Sequence, residues 1–504
     1  MTYTKQTWAD GTGGGTPISA ARLNYIENGI AAASVINAAD YGAVGDGTAD
    51  DTTAIQAALN VLNTAGGGIL DLRGRSYLTG QLTLFPQCGI VNGRLKLKNS
   101  ANTWMLYLGG SATRGNRDWL VDRVTFDGNK ANNTTMPGVI YGYAETGFYE
   151  RALITRSRIE NARGDCIKFD SATGAQFIQP RIDKVTIDCS ETAAGTTGVT
   201  FAACSDATVT TVDIGRVYTG VSVTGSGKHR FHDVRAWGCQ EAGVKVVNAG
   251  DLTFVNCEVD GNFGHGAYIT TTGRVHFLGC AFTNNAFVDS GNTLGYGANY
   301  NSAANNTKDG AYVDNATDVH FTNCRFGNDL ASGTTGYTGT QRYGLTTANG
   351  GTAVATGDCY FWNNRTAALS DQTGFSILTG RSVRYLSLSN GAWMYAGSAD
   401  TTNMGFPSST GAGIEFQRGA AASNPGRITF VSGGATSGGD VRFVRTNGSG
   451  GFFDLMQLLA AGGAFIANVT TVPATPTGGG VVYVESGALK YKGSSGTITT
   501  LGAA

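Results

Sequence analysis

The sequence has few charged residues and almost no net charge. Across 504 residues, 36 Lys and Arg stand against 37 Asp and Glu, which gives a formal charge of -1. The two signs are interleaved along the whole chain, so there is no basic surface of the kind that binds a nucleic-acid backbone. We therefore expect no nucleic-acid partner.

Several short signals are absent as well. The first thirty residues lack the basic and then apolar order of a signal peptide, and the most apolar late stretch is interrupted by Asp454 and Gln457. This pattern predicts neither an export signal nor a membrane span. The sequence holds no P-loop, dinucleotide fingerprint, HExxH or CxxC motif, so we predict no cofactor and no metal. The 9 cysteines are an odd number, which argues against a complete disulfide framework.

Glycine is abundant, with 75 residues, and from about residue 120 the sequence repeats itself. Three residue types recur at an interval of 23: Phe231, Phe254 and Phe277; Cys257 and Cys280; Gly243 and Gly266. A period near 23 with short alternating strands is typical of one turn of a parallel β-helix. Each coil then stacks about 4.8 Å above the last, so residues one repeat apart become lateral neighbours.

This register assigns columns of side chains to the inside and the outside of the coils. Cys257, Cys280, Cys324 and Cys359 share this register and would form an inward ladder of small apolar groups. Glu258 would face water in a column that also holds three arginines: Arg158, Arg235 and Arg325. The repeat predicts an all-β solenoid.

The start of the chain has two parts. In residues 1–36, Ser19 can cap a short helix that has Leu23 and Ile26 on one face, and a helix this short must dock onto something. Residues 35–58 then predict a strand, a Gly-rich turn, a capping Asp and the start of a helix that runs from about Thr52 to Asn63. Asp46, Asp50 and Asp51 are turn and cap residues in this interpretation.

The second part, residues 35–58, resembles the opening motif of the pectate-lyase-like β-helix superfamily, which includes many phage tailspikes. The resemblance implies a right-handed parallel β-helix whose open end is plugged by the helix. Residues 1–36 and the last strands resemble the attachment and C-terminal segments of phage tail proteins. Together these likenesses imply a homotrimer in the virion tail, contact with other tail proteins through residues 1–36, and binding to host surface polysaccharide.

The repeat also sets the expected boundaries of the segments. The β-helix with its capping helix is predicted at 37–385, after the attachment segment at 1–36. Beyond 386 the repeat is lost, and short strands predict a small β domain at 386–470. Three further strands predict a β meander at 471–504.

Candidate site residues stand just before the glycine column that contains Gly243 and Gly266. On the last four coils these positions hold Glu241, His265, Lys308, Asp309, Arg342 and Tyr343. Two insertions fall at the same edge, and long loops on a rigid scaffold commonly form binding surfaces. The insertions carry Tyr296, Tyr300 and Tyr337, whose flat faces suit stacking on sugar rings.

Two chemistries fit these residues, and the sequence does not choose between them. Glycoside hydrolysis needs two carboxyl groups, and Glu241 and Asp309 would stand two coils apart, roughly 9 to 10 Å at the backbone. Elimination on a uronate would use Lys308 or Arg342 to neutralise the substrate carboxylate, with His265 or a carboxylate as the base. The chain is therefore predicted to depolymerise host surface polysaccharide as a hydrolase or a lyase, and a non-enzymatic adhesin or structural fibre is the alternative.

Two other locations compete for the active site. One is a loop after Pro137 with tyrosines and glutamates: Tyr141, Tyr143, Glu145, Tyr149 and Glu150. The other is Asp188 with Glu191, joined by Asp165. Residues 164–167 and 264–266 resemble polygalacturonase motifs, but about 100 residues separate them, whereas in that family the two motifs lie on nearby coils. No catalytic role is carried over from that resemblance.

Overall fold

The computed structural model describes Ser19, Leu23 and residues 35–110, 115–190, 194–225, 227–271, 273–287, 308–328, 341–356, 359–371, six strands between 392 and 466, 468–469 and 471–503. The chain divides into two compact units, Met1–Leu386 and Ser387–Ala504. The helix predicted within residues 1–36 lies outside the described residues apart from Ser19 and Leu23, where the Leu23 N–H donates to the Ser19 carbonyl oxygen. No helix in the described residues is long and apolar enough to cross a membrane.

A helix closes the first coil of the β-helix. It spans Thr52–Ala65 and ends at Gly66, whose φ of 97° is left-handed, as glycine allows at a helix terminus. This confirms the predicted helix. Its apolar face is buried against the strands Gly68–Asp71 and Leu82–Leu84. Asp51 makes no side-chain cap; its carboxylate instead accepts the N–H groups of Val44 and Gly45 at 2.6 and 3.1 Å and so fixes the preceding turn.

The three coils from Gly138 to Gly215 have four short strands each, and the later coils, as far as Trp362, have three. In one coil these are Ala242–Val247, Leu252–Val255 and Glu258–Asp260, and each pairs in parallel with the strand one coil later. The first strand of each coil joins an 11-stranded parallel sheet. Within the described residues, this sheet contains Leu82–Leu84, Leu106–Leu108, Gly138–Ala144, Asp165–Ser171, Thr197–Ala202, Thr219–Thr224, Ala242–Val247, His265–Thr270, Ala311–Asp314, Tyr343–Ala348 and Ala367–Asp371.

The other two strands of each coil join a 22-stranded sheet among the described residues. Its members are Val35–Asn37, Asp46–Asp50, Gly68–Asp71, Ser76–Thr79, Cys88–Leu97, Leu120–Asp127, Leu153–Thr155, Arg158–Glu160, Arg181–Asp183, Thr186–Asp188, Thr208–Thr210, Asp213–Gly215, Arg230–His232, Arg235–Trp237, Leu252–Val255, Glu258–Asp260, Val275–Leu278, Ala281–Thr283, Val319–Thr322, Arg325–Gly327, Ala353–Thr356 and Tyr360–Trp362. A short third sheet holds Phe148–Glu150, Gln176–Ile178 and Cys204–Ser205. The predicted β-helix is thus confirmed.

The core consists of ladders of like side chains. Phe254 stacks between Phe231 and Phe277, with ring centroids 4.3 and 4.7 Å apart. The cysteine ladder is confirmed as buried packing, with Cys359 at its half-buried end. On the surface, Arg235 lies opposite Glu258 in the predicted register, with 3.7 Å between Nε and Oε2.

A second ladder runs through the core and is polar. Asn262 Nδ2 donates to Asn285 Oδ1 at 2.9 Å, Asn285 Nδ2 donates to Gln341 Oε1 at 3.3 Å, and Gln341 Nε2 donates to Asn364 Oδ1 at 2.7 Å. The first three residues are fully buried. Because buried amides are costly without partners, this ladder ties successive coils together in one register.

The second unit contains antiparallel three-stranded sheets. Ala392–Ala396, Ala412–Gln417 and Arg427–Ser432 form one, and Val441–Thr446, Phe452–Leu458 and Ala464–Ile466 form another. The last is Gly480–Glu485, Ala488–Gly493 and Ile498–Gly502.

Candidate functional site

The predicted site residues lie along one edge of the 11-stranded sheet, where the chain enters its strands. Ala242 is opposite His265, and the pairings of Ala267 with Ala311 and of Ala311 with Leu345 continue that column to Asp309 and Tyr343. We call the group the charged edge: Glu241, His265, Lys308, Asp309, Arg342 and Tyr343. Residues 23 to 44 positions apart in sequence are therefore lateral neighbours, and the charged edge extends over four successive coils.

Arg342 and Asp309 form a two-pronged ion pair. Arg342 Nε donates to Asp309 Oδ1 at 3.0 Å and Nη2 to Oδ2 at 2.9 Å, and the Tyr343 N–H adds a third bond at 3.2 Å. The Asp309 side chain is 0% exposed, whereas that of Arg342 is 27% exposed. Burial raises the pKa of Asp309, and the bonds from Arg342 oppose this shift. Asp309 thus presents no oxygen to the surface, while Arg342 does present its guanidinium.

His265 is buried in the same edge and is held in one protonation state. Its Nδ1 accepts the Asp309 backbone N–H at 3.1 Å, and its ring lies 4.8 Å from that of Tyr312. Burial, Lys308 and Arg342 lower the pKa of His265 to about 3. The imidazole is therefore neutral at ordinary pH, and since Nδ1 is an acceptor, the proton resides on Nε2. This geometry makes His265 a hydrogen-bond donor and disfavours the expected role of proton-abstracting base.

Glu241 is the carboxylate of the charged edge that reaches solvent. Its Oε1 lies 2.6 Å from Lys245 Nζ, and its Oε2 accepts the Thr219 hydroxyl at 2.8 Å. The side chain is 32% exposed. Of the predicted acid pair, Glu241 alone is thus open to a ligand, because Asp309 is closed by Arg342. The catalytic roles of both remain predictions.

Three residues that the sequence analysis missed complete this face. Lys245, Tyr268 and Tyr312 occupy one outward column, and the two tyrosine rings stack with centroids 5.8 Å apart. The Tyr268 hydroxyl donates to Asp314 Oδ2 at 2.8 Å. Lys245 and Tyr268 are separated by the same interval of 23, so the register that found the charged edge could also have found them.

Other predicted site residues are not brought to this edge. Tyr296, Tyr300 and Tyr337 lie outside the described residues. Residues after Pro137 form the strand Gly138–Ala144, so the prediction of a loop there is wrong. Buried and part-exposed side chains alternate from Ile140 to Ala144, as is typical of a strand with one face in the core.

The second competing location is not assembled as one site. Asp188 lies on the 22-stranded sheet and Asp165 on the 11-stranded sheet, and Arg216 Nε donates to Asp188 Oδ1 at 2.7 Å. Glu191 lies outside the described residues. Among the side chains that the structure describes, no group of three or more His, Cys, Asp or Glu is arranged to hold a metal ion.

Residues 138–299 match the model of a family described as a right-handed β-helix region. No curated protein matches the chain. ORF18 of Geobacillus virus E2 aligns with 15% identity and a TM-score of 0.51, over 96% of this chain and 89% of that one. An exopolygalacturonase from Thermotoga maritima aligns with 12% identity and a TM-score of 0.44, over 68% and 91%.

The Dettilon tailspike protein aligns with 12% identity and a TM-score of 0.43, over 84% of this chain and 85% of that one. Alignments with identities this low support a similar fold but do not show a shared activity. The coils, their parallel register and the family match agree with one another. The chain is therefore a right-handed parallel β-helix protein, similar in fold to ORF18 of Geobacillus virus E2.

Proposed function

We propose that this chain is a phage tailspike that binds host surface polysaccharide on the outer face of its 11-stranded sheet and depolymerises it at the charged edge. One observation carries the proposal: a solvent-open carboxylate, a buried neutral histidine and a guanidinium meet stacked tyrosines on successive coils. Rigid faces that combine aromatic rings with convergent polar groups suit sugar recognition.

The part-exposed Arg342 favours an acidic sugar at the charged edge. Across the whole face, the cations Lys245, Lys308 and Arg342 equal the anions Glu241, Asp309 and Asp314 in number, and His265 is neutral. Arg342 keeps its guanidinium fixed through Asp309 while 27% of its side chain remains exposed. It would pair with a substrate carboxylate, because guanidinium groups bind carboxylates in two-pronged geometry.

Elimination on a uronate then assigns a role to each group. Lys308, two coils from Glu241, neutralises the carboxylate of the sugar that is cut, and Glu241 removes the C5 proton next to it. The C4–C5 double bond forms as the C4–O bond to the leaving sugar breaks, and the leaving oxygen, bonded by His265 Nε2–H, takes its proton from water. Arg342, three coils from Glu241 and so about 14 Å away at the backbone, binds the carboxylate of a neighbouring uronate. Asp309 acts as a positioning residue for Arg342. Hydrolysis is the second chemistry, and it requires Asp309 to be released from Arg342 so that it can protonate the leaving oxygen.

The experiment is an assay of the full chain on surface glycans of candidate hosts. Unsaturated uronates would identify a lyase, and reducing ends without unsaturation would identify a hydrolase. Glu241→Gln is expected to lower the rate at least 100-fold, on the scale of a lost general base. Glu258→Gln is the matched control, because Glu258 is 55% exposed on the 22-stranded sheet and should leave the rate unchanged. Product release by Glu241→Gln at the full rate would refute the assignment.

A non-enzymatic receptor-binding protein is the second candidate. It is favoured by the pairing of both carboxylates, Asp309 with Arg342 and Glu241 with Lys245, since neither is then a free acid. It predicts that host glycan retards the protein in a gel while no product of either chemistry forms. The proposed homotrimer, the place in the virion tail and the contact of residues 1–36 with other tail proteins belong to both candidates.

A further inference from the structure

A second group of aromatic side chains lies on the same sheet, away from the charged edge. Trp104 and Tyr141 stack with ring centroids 4.5 Å apart and 14° between their planes. Tyr143 lies 5.4 Å and Tyr107 5.9 Å from Tyr141. All four rings are partly exposed. We call them the aromatic platform.

The fold makes room for the indole of Trp104. Gly138 is opposite Asp165, and a Cβ at Gly138 would come within 2.3 Å of the Trp104 ring. The ring therefore lies across Gly138, where any other residue would displace it. On the next coil Lys168 lies opposite Tyr141, and on the coil after that Thr200 lies opposite Lys168.

Polar groups surround the platform. The Asp165 carboxylate accepts the Thr200 hydroxyl at 2.6 Å. Lys168 Nζ lies 5.6 Å from the centre of the Tyr141 ring and 3.1 Å from Asp170 Oδ2. The Tyr107 hydroxyl donates to Glu145 Oε1 at 2.9 Å.

The local charge is negative. Three carboxylates, those of Glu145, Asp165 and Asp170, adjoin the rings, and the one described ammonium beside them, that of Lys168, is already paired. The pKa of Tyr141 is raised by burial and then by the negative charges of Asp170 and Asp165. An anionic sugar is repelled here, whereas a neutral ring with hydroxyl groups can stack and donate to the carboxylates.

We propose that the aromatic platform is a second saccharide subsite, which binds a neutral pyranose ring of the glycan by stacking on Trp104 and Tyr141. Four strand steps separate Tyr141 from Lys245 along the outward column, about 20 Å at the usual strand spacing. A single glycan chain along the sheet would contact both places. The inference rests on the proposed function for the identity of the ligand as a glycan.

The test is affinity gel electrophoresis of the full chain in dextran, mannan, galactomannan and polygalacturonate. At least one of the three neutral glycans is expected to retard the protein. Trp104→Ala and Tyr141→Ala should each weaken that binding at least tenfold, whereas Tyr141→Phe, which keeps the ring face, should not. Tyr360→Ala is the matched control, because Tyr360 stacks on Trp362 on the other sheet and is 47% exposed.

A second variant tests the charge argument without disturbing the stack. Glu145→Gln combined with Asp170→Asn should strengthen binding to polygalacturonate at least threefold and weaken neutral-glycan binding less than Trp104→Ala does. The inference is overturned if no neutral glycan retards the wild type, if both alanine variants bind as the wild type does, or if the double variant gains nothing. Glycan cleavage that continues alongside any of these results would leave the proposed function standing, while neutral-glycan binding without cleavage would leave only the subsite standing.

Discussion

Arg342 holds both carboxylate oxygens of Asp309, with Nε 3.0 Å from Oδ1 and Nη2 2.9 Å from Oδ2. The two residues come from successive coils, so this pair also bridges two layers of the β-helix. The Asp309 side chain is completely buried. Because it is the carboxylate that binds Arg342, removal of its charge would leave Arg342 without its partner.

Asp309→Ala should therefore lower the free energy of unfolding by about 3 kcal/mol, the scale for breaking a buried pair from one side. Urea denaturation measures it. Glu258→Ala, which breaks a surface pair with Arg235, should cost under about 1 kcal/mol. Equal losses in the two variants would contradict a structural role for the Asp309 pair.

The neutral, buried state of His265 makes stability depend on pH. Its folded pKa of about 3 lies below the unfolded value near 6.5, so the unfolded chain binds the proton more readily. Stability is then lost as pH falls from about 6.5 towards 3, by about 1.4 kcal/mol for each unit between the two pKa values at full effect. His265→Gln should flatten this part of a curve of melting temperature against pH. A curve of unchanged slope would contradict the assignment.

The polar ladder should be as important as the apolar ones. Asn285→Leu leaves Asn262 and Gln341 each short of a buried partner, and an unsatisfied buried group costs about 1 to 3 kcal/mol. We expect a loss of at least about 2 kcal/mol in chemical denaturation. Asn60→Leu is the control, since Asn60 is exposed on the helix Thr52–Ala65. A neutral effect of Asn285→Leu would show that the ladder does not hold the register.

Much of this fold could be predicted from the sequence because three chemically different residues repeat together. Phe254, Cys257 and Gly243 each recur 23 residues later, so each marks a fixed place in the coil. The same register, with an insertion before Asp309, brings Glu241, His265 and Asp309 to one edge. The platform was not predicted as a unit, since Trp104 and Gly138 belong to longer coils in which the interval changes.

What the sequence could not predict is which lateral neighbour a side chain bonds. Asp309 could have bonded His265 on the preceding coil as readily as Arg342 on the next, and the choice depends on rotamers and burial that only packing sets. The closing of Asp309 follows from that choice. The pairing of Glu241 with Lys245 depends on rotamers in the same way, and it leaves Glu241 as the exposed carboxylate.

Oligomeric state is a separate prediction that comes from the tailspike resemblance. Light scattering of the full chain should give three times the mass of one chain. Residues 37–504, without the proposed attachment segment, should give the same ratio if trimerisation resides in the β-helix and the C-terminal unit. A monomer for the full chain would contradict the prediction.

Binding of the glycan at the charged edge is tested by a crystal structure of the Glu241→Gln variant with oligosaccharides from a host surface glycan, prepared by partial acid hydrolysis. We expect an acidic sugar with its carboxylate on Arg342 and an oxygen within hydrogen-bond distance of His265 Nε2. Sugar density confined to the 22-stranded sheet or to the second unit, with the charged edge empty, would contradict it.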